Sequence, residues 1–185
     1  MCFPKYLEKN IIQDKEKIEL MIPFLIRAIR QLEKGGADFI ILPCNTLHGV
    51  LPELRKNTKK EIIDIIEETA KSILKQKYSK VGIISTSKTR TLRIYDRVLK
   101  GVKILYPTQE QQGLVSGIIL KIIERRANKE DKDYLDKIIK KMLEEGAEKI
   151  ILACTDLSNI VEIKDNILDT REVLVKSIKN KMRNN

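Results

Sequence analysis

Two cysteines sit in matching surroundings 110 residues apart. The run Gly36-Ala37-Asp38-Phe39-Ile40-Ile41-Leu42-Pro43-Cys44 aligns with Gly146-Ala147-Glu148-Lys149-Ile150-Ile151-Leu152-Ala153-Cys154. Each copy follows a helical stretch ending in Leu-Glu-Lys or Leu-Glu-Glu. Polar residues follow each sulfur: Asn45-Thr46-Leu47-His48 after the first, Thr155-Asp156-Leu157 after the second. A lone cysteine beside an apolar strand is most often a small core residue. The duplication argues for chemistry instead, because it puts both thiols just past the C-terminal ends of parallel strands, where open α/β sheets bind ligands. A helix starting at each point would aim N–H groups at the sulfur and favour thiolate. Facing each other across a cleft, two such thiols form a matched acid and base. One thiolate takes a proton from carbon and the opposite thiol returns one to the other face, which inverts a stereocentre without a cofactor. A metal held by Cys44, His48 and Cys154 would lack a fourth protein ligand, so no metal is expected.

The elements around these residues alternate. Apolar positions at Ile18, Ile22, Leu25, Ile29 and Leu32 predict helix over 14–34, with Pro23 as a kink or second start and Gly35-Gly36 as its end. Phe39 to Leu42 reads as a strand buried on both faces. Further strands are predicted at 62–66, 81–84, 102–105, 150–152 and 166–168. Helices are predicted at 67–76, 89–99, 109–126, 133–145 and 171–181. This alternation argues for βαβ units with parallel sheets. The fold class is α/β, in two pseudo-symmetric Rossmann-like halves with the active site in the cleft between them. Residues 1–76 with 165–185 form the first half and residues 77–164 the second.

Composition narrows the function. The formal charge is +10, but lysines and glutamates interleave along the helices, and only Lys176 to Arg183 is a basic cluster. With no tryptophan and 4% aromatic residues, a stacking platform for nucleic acid is disfavoured. No apolar run is long enough for a membrane span. Met1 to Asn10 has no long apolar stretch of the export kind, so three free thiols in a reducing cytoplasm are expected. Cys2 has no matching motif and is set aside.

The stretch from Gly36 through Pro43-Cys44-Asn45-Thr46-Leu47-His48, with Ala153-Cys154-Thr155-Asp156-Leu157 downstream, resembles the aspartate/glutamate racemase superfamily. The acid after the second Cys-Thr is closer to the aspartate racemase branch. Val81 to Thr89, Leu105 to Gln112 and Asp169-Thr170 resemble further family segments. The resemblance implies PLP-independent racemisation of an acidic amino acid, foremost aspartate, with Cys44 and Cys154 as catalytic acid and base and no cofactor. It implies that Asn45, Thr46, Thr86, Thr89 and Thr155 hold the substrate. His48 and Asp156 would orient or tune the thiols. Arg125 is the first candidate for the carboxylate-binding cation, with Lys88 and Arg90 as alternatives. A homodimer would be in keeping with the family.

The chain also departs from the family pattern. Its resemblance starts after the family's first strand and glycine-rich turn and after the second strand, which carries an arginine. About one βαβ unit is expected to be missing, and one carboxylate-binding cation with it. Lys88 stands where the family loop often has glycine. Other readings stay open: a hydantoin-, glutamate- or maleate-type isomerase, an arylmalonate decarboxylase, an inactive relative, or nucleic-acid binding through the C-terminal helix.

Overall fold

A computed structural model of the chain describes residues 5–184; Cys2 lies outside them. Among the described residues, six strands form two parallel sheets. Strands β1 (Phe39–Ile41) and β2 (Glu61–Ile63) pair with each other. Strands β3 (Lys80–Ser85), β4 (Lys103–Leu105), β5 (Lys149–Ala153) and β6 (Ile167–Asp169) form the second sheet in the order β4-β3-β5-β6. The helices are α1 (Lys5–Ile12), α2 (Ile22–Lys34), α3 (Leu51–Lys56), α4 (Ile65–Lys75), α5 (Ser87–Thr91), α6 (Gln109–Ile123), α7 (Lys129–Glu144) and α8 (Thr170–Asn184).

The duplicated run has a shared local cause. Helix α2 ends with Ala37 N–H donating to Leu32 O and Gly36 N–H to Glu33 O; α7 ends with Ala147 to Met142 O and Gly146 to Leu143 O. This double closure requires a left-handed residue, and Gly36 (φ 81°) and Gly146 (φ 89°) supply it. Each chain then turns at once into a strand and delivers a cysteine at its far end. The same glycine-closed turn therefore sets the aim of both thiols.

The four-stranded sheet is covered on both faces, as a parallel sheet must be. Ile84, Ile150 and Leu152 face α6 and α7, packing with Val115, Ile119, Leu135 and Ile138. Val81, Ile83, Ile151 and Ala153 face α4 and α8, packing with Ile66, Ile73 and Leu174. A separate core joins α1, α2 and α3 to β1 and β2 through Leu7, Ile11, Leu25, Ile40 and Ile62.

Four expectations change. Ile41 is 40% exposed, so β1 is not buried on both faces; its short sheet has only β2 beside it among the described residues. The helix predicted over 89–99 is short: Thr86 caps it early by accepting Thr89 N–H, and Arg93 (φ 50°) ends it. After Cys154 there is only a 3-10 turn, Leu157–Asn159, not a helix. The segment 165–185 does not belong wholly to the first half: β6 hydrogen-bonds to β5 in the second sheet, while α8 packs against α4. Pro23 does mark a second start, since a 3-10 turn, Ile18–Met21, leads into α2 with the proline in its first turn.

Candidate active site

Cys44 and Cys154 line one cavity of about 260 Å³. Strands β3 and β5 pair in parallel with Ser85 opposite Ala153, so Thr86 and Cys154 emerge side by side at the sheet's C-terminal edge. The β1 loop brings Cys44 to the same place. Two links tie the cysteine loops together, one direct and one relayed through Thr170. Thr155 Oγ1 donates to Pro43 O at 3.2 Å. Asn45 Nδ2 donates to Thr170 Oγ1 at 3.0 Å, which in turn donates to Leu152 O at 2.9 Å. The thiols hold position through the backbone of both loops.

The sulfurs sit in different fields. Cys154 is 8% exposed, and its thiol points at Asp156 Oδ2, 3.8 Å away. Burial pushes this thiol well above its ordinary range, and the negative charge of Asp156 adds to that; the Asp156 N–H works the other way. Burial also raises the Asp156 carboxyl, against pulls from Cys154 and Arg171. Cys44 is half-buried. Its thiol too is raised, by burial above all, although N–H groups of Leu47 and Thr46 favour thiolate; the carboxylates of Asp156 and Glu8 push further upward. The N–H groups expected from the sequence are therefore present, but desolvation outweighs them, and both sulfurs favour the thiol form.

His48 is buried behind Cys44. Its Nδ1 lies 2.8 Å from Cys44 O, an acceptor, so Nδ1 carries the proton; Nε2 accepts from Ile65 N–H at 3.4 Å. Burial lowers its proton affinity despite Asp64 Oδ1 at 3.6 Å. The ring thus braces the Cys44 backbone and does not touch the thiol. Thr46, Thr86 and Thr89 form a closed triangle of hydroxyls at 2.9, 2.9 and 3.0 Å. Thr46, Thr86, Asn45 and Thr155 line the cavity, but Thr89 does not.

The candidate cations are elsewhere. Arg125 is exposed, in the turn just after α6 ends, with φ 57°. Helix α6 stops at Ile123, and that side chain lines the cavity instead. Lys88 is ion-paired with Asp14. Arg90 donates to Pro107 O at 2.7 Å and lies over the Tyr106 ring. None of the three lines the cavity. Among the described residues no group of three or more His, Cys, Asp or Glu side chains is placed to hold a metal.

Two features were not visible in the sequence. Tyr95, 1% exposed, donates its hydroxyl to Asn45 Oδ1 at 2.5 Å. It sits in a run of turns that was predicted as helix, so no periodicity pointed it at the loop. Helix α1 packs against α5 and α6 and puts Glu8, Ile11 and Ile12 on the cavity wall. It carries no motif of its own.

A profile of the family described as Asp/Glu/Hydantoin racemase matches residues 4–178. The broad-specificity amino-acid racemase RacX of Bacillus subtilis (strain 168) is 29% identical over 179 residues, spanning 94% of this chain and 75% of its own. The crystal structure of an aspartate racemase homologue from Pyrococcus horikoshii OT3 superposes with a TM-score of 0.74 at 28% identity, covering 93% of this chain and 78% of that one. Picrophilus torridus aspartate racemase does so at 0.68 and 24% identity, covering 82% and 68%. Fold and relatives together define an enzyme of the amino-acid racemase class. The chain belongs to the Asp/Glu/hydantoin racemase family, and its likeness to the aspartate racemase branch agrees with these neighbours. No helix among the described residues is long and apolar enough to cross a membrane.

Proposed function

We propose that the chain racemises an α-amino acid through Cys44 and Cys154, without a cofactor. One observation carries this reading: the two cysteines of the duplicated turns line a single cavity. In one direction a thiolate takes the Cα proton, becoming a thiol and leaving a carbanion stabilised by the adjacent carboxylate. The opposite thiol then gives its proton to the other face of Cα and becomes the thiolate. The two sulfurs have exchanged roles and the proton count is unchanged.

The electrostatics suit this task. Burial makes each sulfur, once ionised, a strong base, which removal of a weakly acidic Cα proton needs. The negative charge of one sulfur opposes ionisation of the other, so once one thiolate has formed its partner stays a thiol, the combination the reaction requires. Asn45 Nδ2, with one of its two hydrogens given to Thr170 Oγ1, keeps a donor for the substrate carboxylate, and Thr46 and Thr155 add theirs by exchanging their present partners for it. Asp156 tunes Cys154, and His48 positions Cys44 through its carbonyl. Two free thiols fit a reducing compartment such as the cytoplasm.

The test is Cα–H exchange. Each enantiomer of an amino-acid panel is incubated in D₂O with the purified chain and no added cofactor. Deuterium at Cα together with appearance of the mirror image is expected. Absence of exchange on every member of the panel would refute the proposal.

A further inference from the structure

We infer that the substrate's side chain is apolar, of about the bulk of leucine or methionine, rather than a carboxylate. This deepens the racemase reading and rests on it. The observation is the character of the wall facing the two sulfurs. Ile11 and Ile12 from α1, Met21 before α2, Leu42 and Leu47 around the first cysteine, and Ile123 at the end of α6 line the cavity. Ile11, Met21 and Ile12 are 3%, 3% and 7% exposed, so these side chains are packed rather than free to swing aside.

Among the described residues, the charged groups on the lining are Glu8 and Asp156, both acidic. A second substrate carboxylate placed here would lose its hydration against hydrocarbon and meet like charge. The cations nearest the site hold other partners or positions: Lys88 pairs with Asp14, Arg90 is engaged by Pro107 O, Arg125 lies in an exposed turn, and Arg171, whose charge reaches Asp156, pairs with Asp169. A zwitterion with an apolar side chain meets no such conflict. Its ammonium suits the acidic groups, its carboxylate takes the second Nδ2 hydrogen of Asn45 and the Thr46 and Thr155 hydroxyls in exchange for their present partners, and its side chain fills the apolar wall. Glu8 is exposed, so its charge is hydrated and screened, and the hydrocarbon wall disfavours a cationic side chain as well.

The experiment compares Cα–H exchange on L-leucine, L-methionine, L-aspartate, L-glutamate and L-lysine at matched concentrations, with the Cys44→Ser variant as a control. Leucine or methionine should exceed aspartate and glutamate in kcat/KM by about 100-fold, since an unpaired carboxylate costs more in such a wall than the loss of a methylene. A second variant, Glu8→Arg at an exposed position, should raise the aspartate-to-leucine ratio by about 10-fold or more. Exchange that favours aspartate, glutamate or lysine, with racemisation lost in Cys44→Ser, would overturn this inference and leave the two-thiol reading standing. Exchange on none of the five, or racemisation that survives in Cys44→Ser, would overturn the two-thiol reading and this inference with it.

Discussion

Replacing Asp156 with asparagine should shift the pH dependence of Cα–H exchange to the acid side. The carboxylate oxygen stands 3.8 Å from the Cys154 sulfur and accepts its proton. Burial is the larger reason this thiol keeps its proton, and the Asp156 charge is the second. At about 4 Å, two like charges interact by about 4 kcal/mol at an effective dielectric of about 20. Asp156 is only half-buried. Water therefore screens part of that energy, and about 1 to 3 kcal/mol remains, equivalent to about one to two pH units. The sign follows from the direction of the shift. A thiol whose proton is held too tightly supplies thiolate only at high pH, and below its pKa the thiolate fraction grows tenfold with each pH unit. Removing the charge moves this rise to lower pH while the amide oxygen keeps an acceptor near the sulfur. Exchange near neutral pH should therefore speed up for the enantiomer whose proton Cys154 removes. The assay is loss of the Cα–H NMR signal, measured for each enantiomer from about pD 6 to about pD 11. A profile that stays in place, or moves to the alkaline side for both enantiomers, would show that Asp156 does not set the basicity of Cys154.

Two further outcomes are expected. Tyr95→Phe leaves buried Asn45 Oδ1 without its donor, which should cost about 1 to 3 kcal/mol in denaturant unfolding; kcat should fall about 10- to 100-fold with a smaller change in KM, because the loop carrying Cys44 loosens. His48 binds a proton less readily when folded than the ordinary value of 6.5 allows, so its share of stability is whole above pH 6.5 and is lost as pH falls below it; the melting temperature of His48→Gln should decline less over that range than the wild type's.

Much of the fold could be read from the sequence because its signals were local. Gly36 and Gly146 close helices by backbone geometry, and short apolar runs bounded by helices make parallel strands in any such chain. The cysteine pair was legible because both copies of that turn end in the same residue. What escaped depends on distance. Whether N–H groups or desolvation govern a thiol is decided by everything packed around it. The duplicated turns predicted thiolates, but burial makes both sulfurs hold their protons. The family resemblance points to Arg125 as a basic residue near the end of this helix, yet α6 stops two residues earlier and presents Ile123 to the cavity. Strand β6 shows the same limit: Asn166 to Leu168 reads as a strand, but pairing with β5 rather than with the first sheet is a tertiary choice. Tyr95 meets Asn45 across 50 positions of chain, and no spacing rule connects them.

The most direct measurement of the central claim is racemisation and exchange in Cys44→Ser and Cys154→Ser, each checked by circular dichroism for an intact fold. Both variants should lose racemisation in both directions by about 10³-fold or more, because each stereochemical course needs one sulfur as base and the other as acid. Wild-type racemisation in either folded variant would mean that the two thiols do not share one Cα.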